Sequence, residues 1–543
     1  MNSGFPRAAT TRLPHQDIEL NLDLIETIRA DTSNCSSPVR TTIFEGSWIY
    51  QQNSRDHLTP PTTPSPDDFL PHPIKINGIG HCALHTPLPP PPKPPLKGIP
   101  DKPSFLHLQQ GRQKLIVGSI IFVCLALFLG VGLPFALDLR ASRLLEARLQ
   151  VVQRILSDAP LVDGHNDLAW NLRRRRQNKL FDFKFNSDLK GDPSWTGGTL
   201  WSQTDLNRMQ KGLVSAQFWS AYVPCGSQYL DSVQLTLEQI DVIIRLVEKY
   251  PKHLQMATTA EEIESAHRAG KIASLIGVEG GHSLGSSLAI LRTLYQLGVR
   301  YLTLTHACNT PWADSSMVDE ATLGHKSSVQ DEDEPPLMPL SDHDGLSDFG
   351  KLVIQEMNRL GMMVDLSHVS ARTMDAAIKV TKAPVIFSHS GAQAICNSTR
   401  NVPDSILSKL ALNGGIVMVS FFNQFLNCKE KATLKDVIAH INHIRNMAGV
   451  NHVGLGAGFD GITQVPEGLE DVSKYPMLLA ELARDRRWSA EDIKKLAGGN
   501  LVRVMRETAR IRGDMERAKI APHEEWISME DLDEKTYCRF PGI

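Results

Sequence analysis

The chain has 543 residues, of which 41% are hydrophobic and 22% are charged, and its formal net charge is -3. This balance argues against nucleic acid as a main partner, because domains that bind nucleic acid are usually strongly basic. The average composition conceals a sharp division between the first 110 residues and the remainder.

Residues 1–110 form the first segment and are rich in Pro, Ser, Thr and His. Such a segment buries too little apolar surface to fold, so we expect a disordered tail. A proline run at 88–96 favours polyproline II geometry. That run could bind an SH3- or WW-type groove, or it could serve as a stiff spacer.

The segment 115–137 contains no charged residue and predicts a transmembrane helix. At about 1.5 Å per residue it would reach roughly 34 Å, which is enough to cross the hydrocarbon layer. A buried core helix is the alternative, but such a helix would normally carry a polar stripe. The segment lies too far into the chain for a cleaved signal peptide. Residues 138–157 would then form a stalk.

The cysteines favour an extracytoplasmic location for everything after the span. Five of the eight cysteines follow it, and an odd number suits two disulfides plus one thiol that joins two chains. Asn397 begins an Asn-Ser-Thr glycosylation sequon on the same side. Basic residues flank both ends of the span, so the positive-inside rule adds only slight support. We expect a single-pass type II protein of the plasma membrane, with a cytoplasmic tail and an extracellular domain.

Eight short apolar runs follow, and helical patterns separate most of them. The runs lie at 161–163, 213–221, 272–278, 300–304, 361–366, 384–388, 415–420 and 452–457, and the clearest helical patterns at 235–250, 346–360 and 432–447. Runs that are apolar throughout indicate parallel strands buried on both faces. Eight of them predict an α/β fold, a (β/α)8 TIM-like barrel over residues 158–525, followed by a C-terminal tail at 526–543. A doubly wound open sheet is the alternative, but no glycine-rich phosphate loop follows the first run.

Two charged stretches lie between these elements. Four arginines at 173–176 indicate a solvated loop, and the acidic residues 331–334 indicate a mobile insertion near the mouth of the barrel.

Five of the apolar runs end in side chains that can bind a metal ion. His165 and Asp167 end the first run, and they point the same way because side chains of a strand alternate between its faces. The other four residues are Glu279, His306, His368 and His389. The carboxyl ends of barrel strands form one face, so these groups should converge there. Imidazole and carboxylate ligands together predict a centre for a divalent metal such as zinc.

The motifs around these residues resemble the membrane (renal) dipeptidases, which are zinc enzymes with an amidohydrolase-like barrel. The matching segments are Asp-Gly-His-Asn-Asp at 163–167, Gly-Val-Glu-Gly-Gly-His at 277–282, Leu-Thr-Leu-Thr-His at 302–306, Asp-Leu-Ser-His at 365–368, Pro-Val-Ile-Phe-Ser-His at 384–389, Arg-Asn-Val-Pro-Asp at 400–404 and Gly-Leu-Glu-Asp-Val at 468–472. They occur in the family's order and span nearly the whole region from 158 to 540. The resemblance implies a membrane-bound zinc dipeptidase that hydrolyses the peptide bond of dipeptides.

The resemblance also implies which residues bind metal. His165 and Asp167 would hold one zinc ion. His368 and His389 would hold a second, and Glu279 would bridge the two. Two such ions can bind one hydroxide between them, because they lower the pKa of water enough for a nucleophile to exist at neutral pH.

Two further residues would bind the substrate, as the resemblance implies. His306 would contact the scissile carbonyl oxygen and share the stabilisation of its negative charge with a metal ion. Arg400 would bind the C-terminal carboxylate, for which its planar guanidinium offers two parallel donors. That contact would restrict cleavage to very short peptides.

By position, the resemblance implies the pairing of the cysteines. Cys225 would pair with Cys308 and Cys396 with Cys428, whereas Cys538 would join two chains as a disulfide-linked homodimer.

One position departs from the family pattern. The family usually has Asp-Phe-Asp-Gly after the eighth run, and its first aspartate handles the proton; this chain has Gly458 there. Glycine offers no carboxylate for acid–base catalysis, which usually contributes about 10²–10⁴-fold, or for the substrate's amino group. Asp460, two residues on, is the residue that could take over. Two hypotheses therefore remain: an active dipeptidase, and a metal-binding but weakly active or inactive relative with a receptor or adhesion role.

Overall fold

The structure is a computed structural model that describes residues 105–197, 201–323 and 343–532. Several predictions fall elsewhere in the chain. The tail before Phe105, the acidic residues 331–334 and Cys538 lie outside the described residues.

A long apolar helix precedes the folded domain, as predicted. Helix α1 spans Phe105–Leu127 and continues through a π-helical turn, Phe128–Gly132. Its segment Arg112–Val131 is long and apolar enough to cross a membrane by length and composition, and none of it is buried. Residues 105–110, which we expected to be disordered, are part of this helix. The predicted stalk lies within the next helix, α2, which spans Leu133–Asp158.

Parallel strands form one sheet in the described part of the chain. They are β1 Leu161–Asn166, β2 Val214–Tyr222, β3 Leu254–Met256, β4 Ile272–Glu279, β5 Val299–Thr303, β6 Met363–Asp365, β7 Ile386–Ser390, β8 Ile416–Val419 and β9 Val453–Leu455. The pairing order is β1-β2-β4-β5-β6-β7-β8-β9, and β1 also pairs with β9, so eight strands close into a barrel. The predicted (β/α)8 barrel is confirmed, and the open-sheet alternative is wrong because closure leaves no edge between β1 and β9.

Each of the eight predicted runs overlaps one barrel strand, but the short strand β3 was missed. It pairs only with β4, and its sequence is Leu-Gln-Met. A three-residue strand with a polar centre carries too little apolar pattern to be recognised.

Helices surround the barrel, and the three predicted helical patterns are present. The remaining helices are α3 Leu168–Arg176, α4 Pro193–Thr196, α5 Leu206–Lys211, α6 Ser232–Lys249, α7 Ala260–Arg268, α8 Leu288–Gln296, α9 Ser316–Leu323, α10 Asp348–Leu360, α11 Ala371–Val380, α12 Asp404–Asn413, α13 Asn423–Asn427, α14 Leu434–Ala448, α15 Tyr475–Leu482, α16 Ala490–Lys494 and α17 Asn500–Arg517. Helix α6 buries Ile240, Ile243 and Val247, which recur at helical spacing and so form its inner face. Helix α10 ends at Gly361, whose φ of 81° is a conformation that glycine adopts readily.

The arginine run at 173–176 is helical, so the prediction of a loop there was wrong. It forms the last turn of α3, where positive side chains interact favourably with the helix dipole. Arg173 donates to Glu238, and Nη2 of Arg176 lies 3.0 Å from Oδ1 of Asp182. These ion pairs attach the end of the helix to its surroundings.

The interior of the barrel determines what lies beneath the strand ends. Tyr301 of β5 is fully buried there, and a Cβ at Gly277 of β4 would lie 2.0 Å from its ring. Glycine at 277 therefore leaves room for Tyr301. The Tyr301 hydroxyl donates to the carbonyl oxygen of Gly164 over 3.2 Å and lies 3.1 Å from Nδ1 of His165. In this way the packed core supports the end of β1.

Candidate metal centre and substrate site

One carboxylate lies among three imidazoles at the carboxyl ends of the barrel strands. Glu279 is the last residue of β4, and its Oε2 is 3.4 Å from Nε2 of His165. Its Oε1 is 3.1 Å from Nε2 of His368 and 3.4 Å from Nε2 of His389. Because its two oxygens face different histidines, Glu279 is placed where a bridging ligand would be.

The predicted ligand atoms form two groups that share Glu279. His165 and His389 complete one group and His306 and His368 the other, each with ligand atoms within 4.8 Å of one another. These groups differ from the pairs that the resemblance implies. However, Nε2 of His368 and Nε2 of His389 are only 2.9 Å apart, so the pair His368–His389 is also close enough to share an ion.

Asp167 adds a second carboxylate to the cluster. Its Oδ2 is 3.2 Å from Nε2 of His165. A Cβ at Gly461 would lie 2.1 Å from the same oxygen, so glycine at 461 leaves the space that this carboxylate occupies. Together the carboxylate oxygens and imidazole nitrogens form a donor set that fits a divalent metal centre.

Hydrogen bonds hold the ligands in orientation. Ser388 Oγ lies 2.8 Å from Nδ1 of His389 and donates to Oδ2 of Asp365 over 2.6 Å. Asp365 also accepts from Thr303 Oγ1 at 2.6 Å. On the other side, Ser220 Oγ donates to Oε2 of Glu279 over 3.0 Å. Partners of this kind set the ring orientation and basicity of metal ligands.

His368 is held in an unusual backbone conformation. Its φ is 70°, a left-handed value that few residues other than glycine adopt. Its carbonyl oxygen accepts from the backbone N–H of Ser316 at 2.7 Å and from Thr305 Oγ1 at 3.2 Å. Two donors thus hold the conformation that brings the ring to Glu279.

The charges of the cluster favour metal binding. Burial would raise the pKa of Glu279, but the adjacent His165 and His368 outweigh burial and hold this pKa well below its ordinary value. Burial, with added repulsion from the positive charge of Arg400, lowers the pKa of His368 well below normal. Burial and the charge of His165 do the same to the pKa of His389. An ionised carboxylate and neutral imidazoles are the forms that bind metal ions.

His165 titrates in the opposite sense. Burial alone would lower its pKa, but the carboxylates of Glu279 and Asp167 outweigh burial and raise this pKa well above normal. Metal binding at His165 must therefore displace a proton.

Arg400 contributes the positive charge beside the cluster. It is buried, its guanidinium carbon lies 5.1 Å from the centre of the Phe425 ring, and burial lowers its pKa to about 10 despite the charge of Glu279. Within the described residues, its Nη1 has no hydrogen-bond partner. A buried cationic N–H without an acceptor is costly, so this atom is suited to an anionic ligand.

His306 lies beside the cluster. Its ring centre is 4.2 Å from that of His368 and 4.8 Å from that of Tyr222. The structure thus brings His306 to the predicted ligands.

The turn after β9 contains the departure from the family pattern. Gly458 has a φ of 75° and donates its N–H to the carbonyl oxygen of His165 over 3.2 Å. A Cβ at this position would have Ile462 Cγ2 at 3.7 Å and Ser420 Oγ at 4.0 Å as its nearest neighbours. A side chain therefore has room here.

Asp460 is bonded to a different part of the chain. Its Oδ1 accepts from the N–H of Gln203 at 3.1 Å, and its own N–H donates to Oε1 of Gln203 over 2.6 Å. Burial raises the pKa of Asp460 to about 6. Its carboxylate thus binds the backbone of the 201–205 segment.

Both predicted intrachain disulfides are present. Cys225–Cys308 attaches the loop after β2 to the segment just beyond His306, and Cys396–Cys428 joins residues on either side of Arg400. Asn397, which begins the sequon, is exposed.

Sequence reasoning missed the residues that support the ligands. These are Ser220, Tyr301, Asp365, Ser388 and Gln203. Asp365 and Ser388 belong to the matching motifs. Strand alternation would have placed each on the face opposite the residues next to it in its strand, but no local signal pairs Asp365 with Ser388.

Comparison with known proteins identifies a family for this chain. The model of the membrane dipeptidase family, peptidase family M19, matches residues 149–519. Dipeptidase 3 of Rattus norvegicus is 45% identical over 358 residues, which cover 66% of this chain and 67% of the rat protein.

Solved structures share the fold. A dipeptidase structure of metallopeptidase family M19 has 25% identity and a TM-score of 0.54, and covers 64% of this chain and 98% of its own. A metallopeptidase from Rhodobacter sphaeroides was solved with a phosphinate mimic of the dipeptide L-Ala-D-Ala. It has 24% identity and a TM-score of 0.53, and the match covers 64% of this chain and 99% of the Rhodobacter chain.

Proposed function

The chain belongs to the membrane dipeptidase family, peptidase family M19, and from this membership we propose that it is a zinc metallodipeptidase acting on dipeptides. The observation that carries the proposal is the position of Glu279, whose two carboxylate oxygens face three histidines beside the buried Arg400.

We propose that two zinc ions occupy the cluster. His165 and Asp167 would hold one, His368 and His389 the other, and Glu279 would bind both. When bound, the metal ions would act as Lewis acids and lower the pKa of water. The 3.2 Å contact of Asp167 with His165 and the 2.9 Å contact between His368 and His389 support these pairs.

The residues of the chain would orient the substrate. Arg400 would bind the C-terminal carboxylate through its unpartnered Nη1, which places the peptide bond one residue away. His306 would donate to the carbonyl oxygen as negative charge develops there. The water oxygen would bond to the carbonyl carbon, the C–N bond would break, and the leaving nitrogen would take the proton that the water loses.

Asp460, which we predicted as a substitute for the missing aspartate, has a different contact. We propose that it positions the 458–461 turn, because its Oδ1 accepts from the backbone of Gln203. Its other oxygen, Oδ2, is buried and has no hydrogen-bond partner among the described residues, so that oxygen could carry a proton while Oδ1 keeps its bond to Gln203.

Zinc content and dipeptide turnover of the purified extracellular domain test the proposal. We expect about two zinc ions per chain, and a loss of turnover of roughly 10²-fold or more in Glu279→Gln, because the amide cannot supply the bridging charge. If the wild-type domain binds zinc but turns over dipeptides no faster than the variant, the enzyme proposal is wrong.

Gly458 favours a second candidate. Without a carboxylate at this position, the chain would be a metal-binding but weakly active or inactive relative that acts as a receptor or adhesion protein. Strong turnover by the wild-type domain would exclude it.

We also propose a type II membrane protein with an extracellular barrel. The apolar segment Arg112–Val131 and the two disulfides support this topology, because disulfides persist in oxidising compartments. Glycosylation at the exposed Asn397, a homodimer linked through Cys538 and an SH3- or WW-type partner for the proline run belong to the same proposal. Digestion of residues 1–110 from outside sealed cells would contradict it.

A further inference from the structure

Two loops at the carboxyl ends of neighbouring strands hold the group that would bind the substrate carboxylate. The β7 loop, residues 391–402, contains Arg400, and the β8 loop, residues 420–428, contains Phe425. The guanidinium carbon of Arg400 lies 5.1 Å from the centre of the Phe425 ring, so the cation of one loop packs on an aromatic side chain of the other. The position of the guanidinium therefore depends on how the two loops are held together.

Asn401, the residue after Arg400, joins the loops through its side-chain amide. It is fully buried, and its Nδ2 donates to the carbonyl oxygen of Cys396 over 3.0 Å and to that of Phe425 over 2.8 Å. Because both acceptors are carbonyl oxygens, only the NH2 group of the amide can face them. One side chain thus binds the β7 loop beside Arg400 and the β8 loop at the residue on which Arg400 packs.

His440 of α14 makes a second connection between the same loops. Its Nδ1 accepts from the backbone N–H of Ala392 at 2.8 Å, and its Nε2 donates to the carbonyl oxygen of Leu426 over 2.7 Å. This pattern requires a neutral ring, which burial favours because it lowers the pKa of His440. A Cβ at Gly391 would lie 2.5 Å from Oδ1 of Asn401 and 2.7 Å from Nδ1 of His440, so the two side chains meet over this glycine.

The disulfide between Cys396 and Cys428 is a third connection across the two loops. These links fix the backbone around Arg400, whereas Nη1 of Arg400 has no hydrogen-bond partner within the described residues. The guanidinium is thus supported by its backbone and by an aromatic ring, and this donor remains available for a ligand. A binding group that is held in place by its neighbours loses little freedom when the ligand arrives.

We propose that Asn401 is a positioning residue for substrate binding. By clamping the β7 loop to the β8 loop it keeps the Arg400 guanidinium in place against the Phe425 ring, and His440 supports the same clamp. The inference rests on the proposed function, in which Arg400 binds the C-terminal carboxylate of a dipeptide. Without the clamp, the charge of Arg400 remains, but its donors no longer lie where two parallel hydrogen bonds to that carboxylate can form.

Asn500 provides a matched control in the same chain. It is buried, and its Nδ2 also donates to two backbone carbonyl oxygens, those of Val450 and Val453, both over 2.8 Å. Val453 is the first residue of β9, so this amide lies at the end of the barrel away from the candidate metal centre. Asn401→Ala and Asn500→Ala therefore remove the same kind of contact, and only the first should change how the carboxylate is bound.

Two ligands that differ only at the carboxyl end measure the effect. A phosphinate mimic of alanyl-alanine and its C-terminal carboxamide are titrated into the zinc-loaded full-length protein by calorimetry, and the ratio of their Kd values reports recognition of the carboxylate. We expect the wild type to favour the carboxylate, Asn401→Ala to reduce this preference about tenfold or more, and Asn500→Ala to keep it. An equal preference in folded Asn401→Ala and Asn500→Ala would overturn the proposal.

Folding and zinc affinity separate positioning from a general loss of structure. Thermal unfolding checks that the variants fold, and competition with a zinc chelator should give both alanine variants the same zinc affinity. Weaker zinc binding by Asn401→Ala alone would show that the clamp acts on the metal centre, which contradicts the proposal. Asn401→Ser, which keeps one hydroxyl donor for the two carbonyls, replaces Asn401→Ala if that variant does not fold. We expect a smaller shift in the same direction, and an unchanged preference would refute the role of Asn401.

Turnover of alanyl-alanine by the same samples distinguishes this inference from the proposed function. If the preference falls in Asn401→Ala but the wild type hydrolyses no dipeptide, the hydrolytic function fails while the role of Asn401 stands. If the wild type is active and the two alanine variants have the same KM, the hydrolytic function stands and the role of Asn401 is wrong. A wild type that binds both mimics equally would show that Arg400 does not bind the carboxylate, and the inference would fail.

Discussion

Ser388 tests how far the barrel prepares its metal centre before any ion binds. Its hydroxyl is within 2.8 Å of Nδ1 of His389 and donates to Oδ2 of Asp365 over 2.6 Å, so it links a ligand to a buried carboxylate. In Ser388→Ala that link is lost, whereas Thr303 still donates to the same oxygen of Asp365. The His389 ring then loses the contact that orients its Nδ1, and this buried nitrogen is left without a partner.

The expected effect follows from the cost of a lost orienting contact. Removing a hydrogen-bond partner of a metal-binding histidine usually lowers metal affinity about 10–100-fold, which is about 1.4–2.7 kcal/mol. We expect a loss in this range for the ion held by His389. The ion held by His165 should be affected less, because Tyr301 rather than Ser388 contacts that histidine.

Competition with a chromogenic zinc chelator measures the two affinities. Ser274→Ala is the matched control, since Ser274 of β4 is fully buried and its hydroxyl has no partner among the described residues. Thermal unfolding without metal checks that both variants fold. If Ser388→Ala binds both zinc ions as tightly as Ser274→Ala, the idea that Ser388 orients His389 is refuted.

Two further predictions concern substrate binding and pH. Arg400→Lys keeps the charge but loses the two-donor fork, so the KM for a substrate with a free carboxylate should rise about tenfold or more. Arg503→Lys is the control and should leave KM unchanged, because Arg503 donates to the backbone carbonyls of Gly414 and Asn451. Equal KM values in the two variants would contradict the role of Arg400. Burial raises the pKa of Asp460 from 3.8 to about 6, so the folded state binds this proton more tightly, and its contribution to stability is lost as the pH rises from about 4 through 6. Without metal, the stability of Asp460→Asn relative to wild type should therefore rise by up to about 3 kcal/mol as the pH rises across that range. Urea unfolding measures the two free energies of unfolding. If their difference does not vary with pH, Asp460 does not titrate in this way.

The barrel could be predicted because its strands are encoded locally. Each strand is a short apolar run, and consecutive residues suffice to recognise one. Strand β3 and the helix at the arginine run were missed because their local patterns are weak. Strand β3 is short and has a polar centre, and the four arginines carry no apolar stripe that would indicate a helix.

The residues that hold the ligands could not be predicted in the same way. Asp365 and Ser388 are 23 positions apart, and Tyr301 is 136 positions from His165. Nothing in either local segment indicates its partner. The pairing of β6 with β7 brings Asp365 to Ser388, and closure of the barrel brings Tyr301 of β5 to His165 of β1.

The sequence by itself determined the class of fold, the family and the side chains available for metal binding, because each depends on residues that are neighbours along the chain. The tertiary structure alone decided that both oxygens of Glu279 face histidines and that Asp460 bonds to Gln203. These are relations between separate strands and loops, and they exist only once the barrel closes.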